Sequence, residues 1–223
     1  MNLKLEYSKH EHLSFDLWLT LIKSNPEFKN KRNSLFKDFF EVDCSLEKVS
    51  EVIRYYDVLF NNINEKTGLN IDTFEIYYLI LEALNVNLNN IEIEKLGEFY
   101  NESEKLFMSN KPDLIYNNIQ VLFNQIIENE KTISILSNTA FIKGTTLRKL
   151  LKHYELDNFL LFQIYSDETG FSKPNKEIFQ LVCNEIGKFK SIEKNKVLHI
   201  GDNKIADYDG AMNFGFDALL IKI

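Results

Sequence analysis

Only two cysteines, Cys44 and Cys183, occur among 223 residues, far apart and in unlike surroundings. That scarcity excludes a disulfide framework and leaves two free, mostly buried thiols of the cytosolic kind. A basic excess is lacking as well. The 26 Lys and Arg stand against 33 Asp and Glu, for a net charge of −7. No basic stripe is available to neutralise a phosphate backbone, so nucleic acid is not expected as a partner. No apolar run approaches the length that spans a bilayer, which removes a membrane partner from consideration. The first residues, Met1 to Tyr7, include Glu6 and form no apolar signal core, so the expected location is cytoplasmic. Internal repeats are absent, and asparagine is dispersed rather than gathered into low-complexity tracts. What remains is enough chain to bury a large core, as one domain with an insertion or as two modest domains.

Four segments carry chemistry. The apolar run Val197-Leu198-His199-Ile200 ends in Gly201-Asp202, and a second carboxylate, Asp207, follows on the next turn. In an open α/β sheet the carboxyl ends of strands are where ligands bind. Two carboxylates there suit a hard, oxygen-liganded cation such as Mg²⁺. A strand-end turn with an Asp helix cap is the plainer alternative for this motif alone. The run His12 to Leu21 is a second apolar strand, interrupted by one carboxylate, Asp16. An ionised Asp in such surroundings needs a partner, and a metal shared with Asp202 would supply one. The β-branched strand Thr132 to Ser137 leads into Asn138 and Thr139. A helix over Lys143 to His153 follows, so this loop can offer backbone N–H groups to an anion. Lys173 precedes Pro174, which is expected close to the first residue of a helix, and can point a fixed ammonium at the strand ends.

Around these motifs the periodicity divides the chain. From Pro26 to about Pro112 it reads as helix after helix. Apolar stripes run over Leu46 to Ile63, over Asp72 to Leu84 with Asp72 as N-cap, and over Ile91 to Met108. Asparagine-rich joints at Asn61-Asn62, Asn85 to Asn90 and Asn110-Lys111-Pro112 read as turns. From Ile115 helices and strands alternate, as in a βαβ series with a parallel sheet. Strands are expected near His12–Trp18, Thr132–Ser137, Leu160–Tyr165, Lys196–Ile200 and Ala218–Ile223. His199, inside a strand, reads as a packed core imidazole. His10 and His12 read as scaffold at a strand entrance, and His153 as a complement to a helix dipole.

The order Asp16, Ser137, Lys173, then Gly201-Asp202 and Asp207, together with Gly170-Phe171-Ser172-Lys173-Pro174 and Ile178-Phe179, resembles the haloacid dehalogenase-like (HAD) hydrolase superfamily. The resemblance covers Leu13 to Leu21 and then the chain from about Ile115 to Ile223. It implies a doubly wound, Rossmann-like α/β core formed by residues 1–22 and 113–223. Residues 23–112 would be a helical cap that closes over Asp16, excludes water and selects the substrate. Asp16 would be the nucleophile that forms a covalent aspartyl intermediate. Ser137 and the Asn138 backbone would hold the phosphoryl oxygens, and Lys173 would neutralise charge beside the nucleophile. Mg²⁺ would be bound by Asp16, Asp202, Asp207 (directly or one shell out) and the main-chain carbonyl of Trp18. Thr20 would fix the loop after the first strand through its hydroxyl.

One position departs from the pattern. Phosphatases of this superfamily carry a second Asp two residues after the nucleophile, where this chain has Trp18, followed by Leu19 in place of a small residue. An indole donates one hydrogen bond and is neither acid nor base at neutral pH. The usual proton shuttle is therefore missing, at a cost of about a hundred- to ten-thousandfold in rate. The leading expectation is a Mg²⁺-dependent phosphatase of a small phosphorylated metabolite, with atypical or reduced activity. A non-catalytic or regulatory binder of a phosphoryl ligand is the alternative. A metal-independent haloacid dehalogenase, whose branch has an aromatic Tyr at the Trp18 position, is a further one, although Asp202 and Asp207 argue against it.

Overall fold

The computed structural model describes residues 1–222. In chain order the strands are β1 (His12–Phe15), β2 (Ile22–Lys23), β3 (Asp113–Leu114), β4 (Thr132–Ser137), β5 (Leu160–Tyr165), β6 (Val197–Gly201) and β7 (Asp217–Leu220). The helices are α1 (Pro26–Phe39), α2 (Leu46–Thr67), α3 (Thr73–Ala83), α4 (Ile93–Ser109), α5 (Ile119–Glu128), α6 (Gly144–His153), α7 (Ser166–Thr169), α8 (Lys176–Gly187) and α9 (Gly210–Phe214).

Five strands form one sheet in the order β5-β4-β1-β6-β7, every pair parallel. β1 lies at its centre and is buried along its whole length, as a strand covered on both faces must be. Its odd-numbered residues Leu13 and Phe15 pack with Phe123, Ile126, Leu147 and Leu151 of α5 and α6. On the opposite face Ile178, Phe179 and Val182 of α8 pack with Ala211 of α9 and Phe216. Helices on both faces of a parallel sheet make the doubly wound architecture expected from the βαβ pattern. Phe15 is in register with Ile135 on one side and Ile200 on the other. The residues that follow β1, β4 and β6 therefore emerge side by side at one edge.

The chain leaves and re-enters this body through the two-stranded antiparallel β2–β3 ribbon. Between these strands, α1 to α4 bury their own apolar cluster, in which Phe36, Tyr77, Ile80, Leu96 and Phe99 are central. The N-terminus of α3 is fixed by Asp72, whose side chain accepts from the Phe74 amide while Glu75 reaches back to the Asp72 amide, a capping box.

Some expected boundaries shift. β1 stops at Phe15 rather than Trp18, because the Leu17 carbonyl accepts from Leu21 (2.9 Å) and Ile22 (3.0 Å) and closes a tight loop. Asn61-Asn62 is not a turn. α2 continues to Thr67, and its stop is Gly68, whose φ of 68° suits a left-handed C-cap. Pro174 lies outside α8, which starts at Lys176 behind Asn175, the residue that accepts from the Glu177 amide. The helix expected from Ile91 begins at Ile93, after a short 3₁₀ turn over Leu88–Asn90. The last strand ends at Leu220, and the final residue of its expected range, Ile223, lies outside the described residues. Both cysteines are free and half-buried, so less shielded than expected. No helix among the described residues is long and apolar enough to cross a membrane.

Candidate active site

Asp16, the residue after β1, is held at the sheet edge by its amide, which donates to the Ile200 carbonyl at 2.9 Å. The residue is buried. From the other side Lys173, 1% exposed, donates through Nζ to Asp16 Oδ1 (2.8 Å), Asp207 Oδ1 (2.6 Å) and the Leu136 carbonyl (2.7 Å). These three acceptors saturate the ammonium. Oδ2 of Asp16 accepts no hydrogen bond among the described residues. The backbone on either side of the Lys173 carbonyl is clamped by Asn138. Its Oδ1 accepts from the Lys173 amide (2.8 Å), and its Nδ2 donates to the Lys173 carbonyl (3.0 Å).

Asp207 sits in a wide π turn over Lys204–Asp209, a geometry that widens the helix locally and turns the carboxylate inward. Its Oδ2 accepts from the Asn203 amide at 2.9 Å, and its Oδ1 also meets His199 Nε2 at 3.1 Å. His199 Nδ1 in turn meets Ser14 Oγ at 3.0 Å. Gly201 makes room for this arrangement. A Cβ there would lie 2.5 Å from Asp207 Cβ and closer still to its carboxyl carbon. Asn203 has a second task, as its Oδ1 accepts from the Ile205 and Ala206 amides and its Nδ2 reaches Glu65 of α2 at 2.9 Å.

Asp16, Asp202 and Asp207 each bring one carboxylate oxygen within 4.8 Å of the others. Three converging carboxylates form a donor set of hard oxygens, which fits Mg²⁺. Both oxygens of Asp207 already accept hydrogen bonds, whereas Asp16 keeps one oxygen free, so the set offers unequal ligands. Burial pushes the Asp16 carboxyl up to about 6, against the pull of Lys173 and with Asp207 adding to the rise. Burial, reinforced by Asp207, also raises Asp202. Asp207 goes the other way. Burial works against its charge, but the Lys173 ammonium and the His199 hydrogen bond hold it well below the usual carboxylate range. Lys173 stays charged, because the two carboxylates outweigh the burial that would discharge it. A cluster with more negative than positive groups in a dry site is poised to take up a cation.

Four expected residues need a finer statement. Ser137 is fully buried, and its hydroxyl donates to the Asn138 carbonyl at 3.2 Å. Asn138 and Thr139 line the cavity instead. The Thr20 hydroxyl is buried beside Asp202, whose carboxyl it helps to hold down, while backbone bonds to the Leu17 carbonyl close the loop after β1. Trp18 is half-buried and packs edge-on to Phe107 at 6.3 Å, while its neighbour Leu19 is exposed at a φ of 56°. That left-handed conformation favours glycine or a small polar residue and is strained for leucine. His199 is in the core, as expected, but its contact with Asp207 makes it part of the site. Strand register aligns it with Ser14, and that pairing is invisible in a single sequence.

A cavity of about 410 Å³ opens above Asp16, Lys173, Asp202 and Asp207. Its far wall comes from α1 and α2, including Phe28, Arg32, Arg54 and Glu65. The size suits a small molecule enclosed between sheet edge and helices.

A family model described as haloacid dehalogenase-like hydrolase matches residues 12–215. An uncharacterised hydrolase of Schizosaccharomyces pombe is 30% identical over 93 residues, 41% of this chain and 39% of its own length. The chain thus spans about two fifths of that relative in the match. Glyceraldehyde 3-phosphate phosphatase of Methanothermobacter thermautotrophicus is 24% identical over 198 residues, 82% of this chain and 84% of its own. Among solved structures, the magnesium-bound HAD-hydrolase YfnB of Bacillus subtilis superposes with a TM-score of 0.66 at 19% identity, covering 95% of this chain and 86% of its own.

Proposed function

The chain belongs to the haloacid dehalogenase-like hydrolases, and on that premise we propose that it is a Mg²⁺-dependent phosphohydrolase of a small phosphorylated metabolite. The observation that carries the reading is the bridge from Lys173 to both Asp16 (2.8 Å) and Asp207 (2.6 Å) at the floor of the cavity. Phosphatase activity in one relative and a magnesium-bound structural neighbour agree with it.

Mg²⁺, held by Asp16, Asp202 and the Trp18 carbonyl with Asp207 beside it, would neutralise charge on the transferring phosphoryl group. The rest of the reaction belongs to the chain. Lys173 engages Asp16 Oδ1 and leaves Oδ2 as the attacking oxygen. Oδ2 forms a bond to phosphorus, the ester P–O bond breaks, and its electron pair departs with the leaving oxygen. The Asn138 backbone, which lines the cavity, holds phosphoryl oxygens, and Ser137, buried behind it, joins only when the loop uncovers its hydroxyl. Lys173 offsets the charge gathered between nucleophile and phosphoryl group. Water then bonds to phosphorus, the Asp16 Oδ2–P bond breaks with its electron pair returning to the carboxylate, and phosphate leaves with one proton of the water while the other passes to solvent. The leaving oxygen and that water both need proton transfer, and Trp18 supplies none. Substrates with good leaving groups are therefore turned over best.

Hydrolysis of p-nitrophenyl phosphate with and without Mg²⁺, using Asp16→Asn as the blank, is the direct test. Its leaving group needs little protonation, so turnover depends on nucleophile and metal. Metal-dependent turnover that vanishes in the variant is expected. A flat result from folded protein refutes it and favours a second reading, a phosphoryl-ligand binder without turnover. That reading draws on Trp18, half-buried at the cavity against Phe107 where an acid is absent.

A further inference from the structure

The cavity that holds Asp16 also has a buried cation in its wall. Arg32 of α1 is 9% exposed, and it forms no ion pair among the described residues. Its hydrogen bonds go to a neutral acceptor, Asn33 Oδ1, from Nε (3.2 Å) and Nη2 (3.0 Å). Nη1 makes none. The guanidinium is set between two rings, 4.8 Å from the Phe141 centroid and 5.8 Å from that of Phe28. The rings hold its plane and add cation–π attraction, but they do not replace a counter-ion. Burial lowers the pKa of the guanidinium, although Asp57 lies near enough to pull it the other way without forming an ion pair.

The acids of the same wall are already engaged. Asp57 pairs with Arg54 at 3.0 Å, and Glu65 accepts from Asn203 at 2.9 Å. A buried charge is normally paired. The small part of Arg32 that stays open faces the cavity shared with Asp16 and Lys173. Its planar fork is suited to bidentate recognition of an oxyanion.

We propose that Arg32 is a specificity residue for the second anionic group of the substrate, so that the chain acts on phosphorylated compounds bearing a carboxylate or a further phosphoryl group at the far end. The phosphoryl end goes to the Asp16 side, as in the hydrolase reading on which this inference rests, and the other anion completes the pairing of Arg32. A substrate lacking it leaves the guanidinium desolvated and unpaired.

The test compares inert phosphonates by Mg²⁺-dependent titration calorimetry. Phosphonoacetate and methylenebisphosphonate each carry a second anion, and methylphosphonate carries none. Wild type is expected to bind at least one of the first two about ten- to a hundredfold more tightly than methylphosphonate, the span expected for one charged hydrogen-bonding partner. Which of the two gains identifies carboxylate or phosphoryl as the second group. The advantage collapses in Arg32→Gln and survives in part in Arg32→Lys. If Arg32→Gln does not fold, Arg32→Met, which fills the gap between the rings, takes its place. Equal binding of all three probes by wild type, or an advantage that persists in Arg32→Gln, overturns the proposal. Turnover of p-nitrophenyl phosphate distinguishes the levels of failure. With turnover intact, equal binding refutes the role of Arg32 alone. With no turnover and no phosphonate bound, the hydrolase reading falls as well.

Discussion

Replacing Lys173 by methionine isolates the charge at the centre of the site. Methionine has a similar unbranched stem, so the packing change is small. What disappears is an ammonium that satisfies two carboxylates whose side chains are 8% and 3% exposed. Breaking such a pair from one side costs about 3–5 kcal/mol. For a chain of this size that corresponds to roughly 6–20 °C in Tm. The loss must depend on pH, and its sign follows from the carboxylates. Without Lys173 the pair relieves itself by keeping a proton, so its folded pKa rises above the unfolded value. The folded state then binds more protons, and stability falls as pH rises. In wild type that decline ends near the Asp16 value of about 6. In the variant it continues, adding about 1.4 kcal/mol per pH unit. His199, 3.1 Å from Asp207, could take the proton instead, and a raised histidine pKa gives the same sign. Chemical denaturation at pH 5 and pH 8, in chelator and in saturating Mg²⁺, reads all of this. The variant should trail wild type modestly at pH 5 and severely at pH 8, and Mg²⁺ should recover much of the gap. An equal deficit at both pH values, unmoved by Mg²⁺, would mean that Lys173 serves packing rather than charge.

Other perturbations probe separate parts of the site. Gly201→Ala drives a methyl into Asp207 and should cost about 1–3 kcal/mol by overpacking. It should also abolish the Mg²⁺-induced rise in Tm, and a variant that keeps that rise would show that Asp207 has room to move. Trp18→Asp restores a carboxyl beside the nucleophile. Alkyl phosphate turnover should rise by at least about tenfold, within the range for a general acid–base. No gain in a folded, Mg²⁺-binding variant would mean that position 18 is not the limiting defect. In wild type, Mg²⁺ competes with the proton that burial retains on Asp16 near pH 6. The Mg²⁺-induced rise in Tm should therefore grow from pH 5 to pH 7.5, with proton release on binding at the lower pH. A pH-independent rise would place the metal away from Asp16.

Sequence periodicity located the sheet because parallel strands bury both faces and read as short apolar runs. β4 has the expected bounds for that reason, and β5, a half-buried edge strand, has them from its apolar composition. It failed at Asn61-Asn62, where local turn preference was outweighed by a stripe that continues through Phe60 and the buried Asn64 to Gly68. Asp16, Asp202 and Asp207 were legible because each interrupts or follows an apolar run, and Lys173 because it stands directly before Pro174. His199 was not, since its partners Ser14 and Asp207 depend on strand register and on the π turn. Arg32 carried no signal either. One arginine in an amphipathic helix reads as surface, and only the fold sets it between Phe28 and Phe141.

Helices far from Asp16 in sequence are bonded to the loops that surround it. The segment after α2 pairs with the loop that ends in Lys173. Asn70 donates to the Gly170 carbonyl (2.9 Å), Ser172 donates to that of Gly68 (3.0 Å), and Asn175 Nδ2 reaches the same oxygen (3.0 Å). Asn203 joins α2 to the Asp207 turn through Glu65. The helical layer is thus bonded to both loops that hold the Lys173–Asp207 pair. Any rigid shift of α2 must stretch these bonds or carry the loops with it, and an error of 1 Å in placing a reacting group is enough to cost about a hundredfold. Two polar networks therefore hold this loop, Asn138 at Lys173 itself and Gly68 to Asn70 at the residues on either side of it. If the cavity takes a substrate as proposed, contact with α2 would bear on the placement of Lys173 through these bonds.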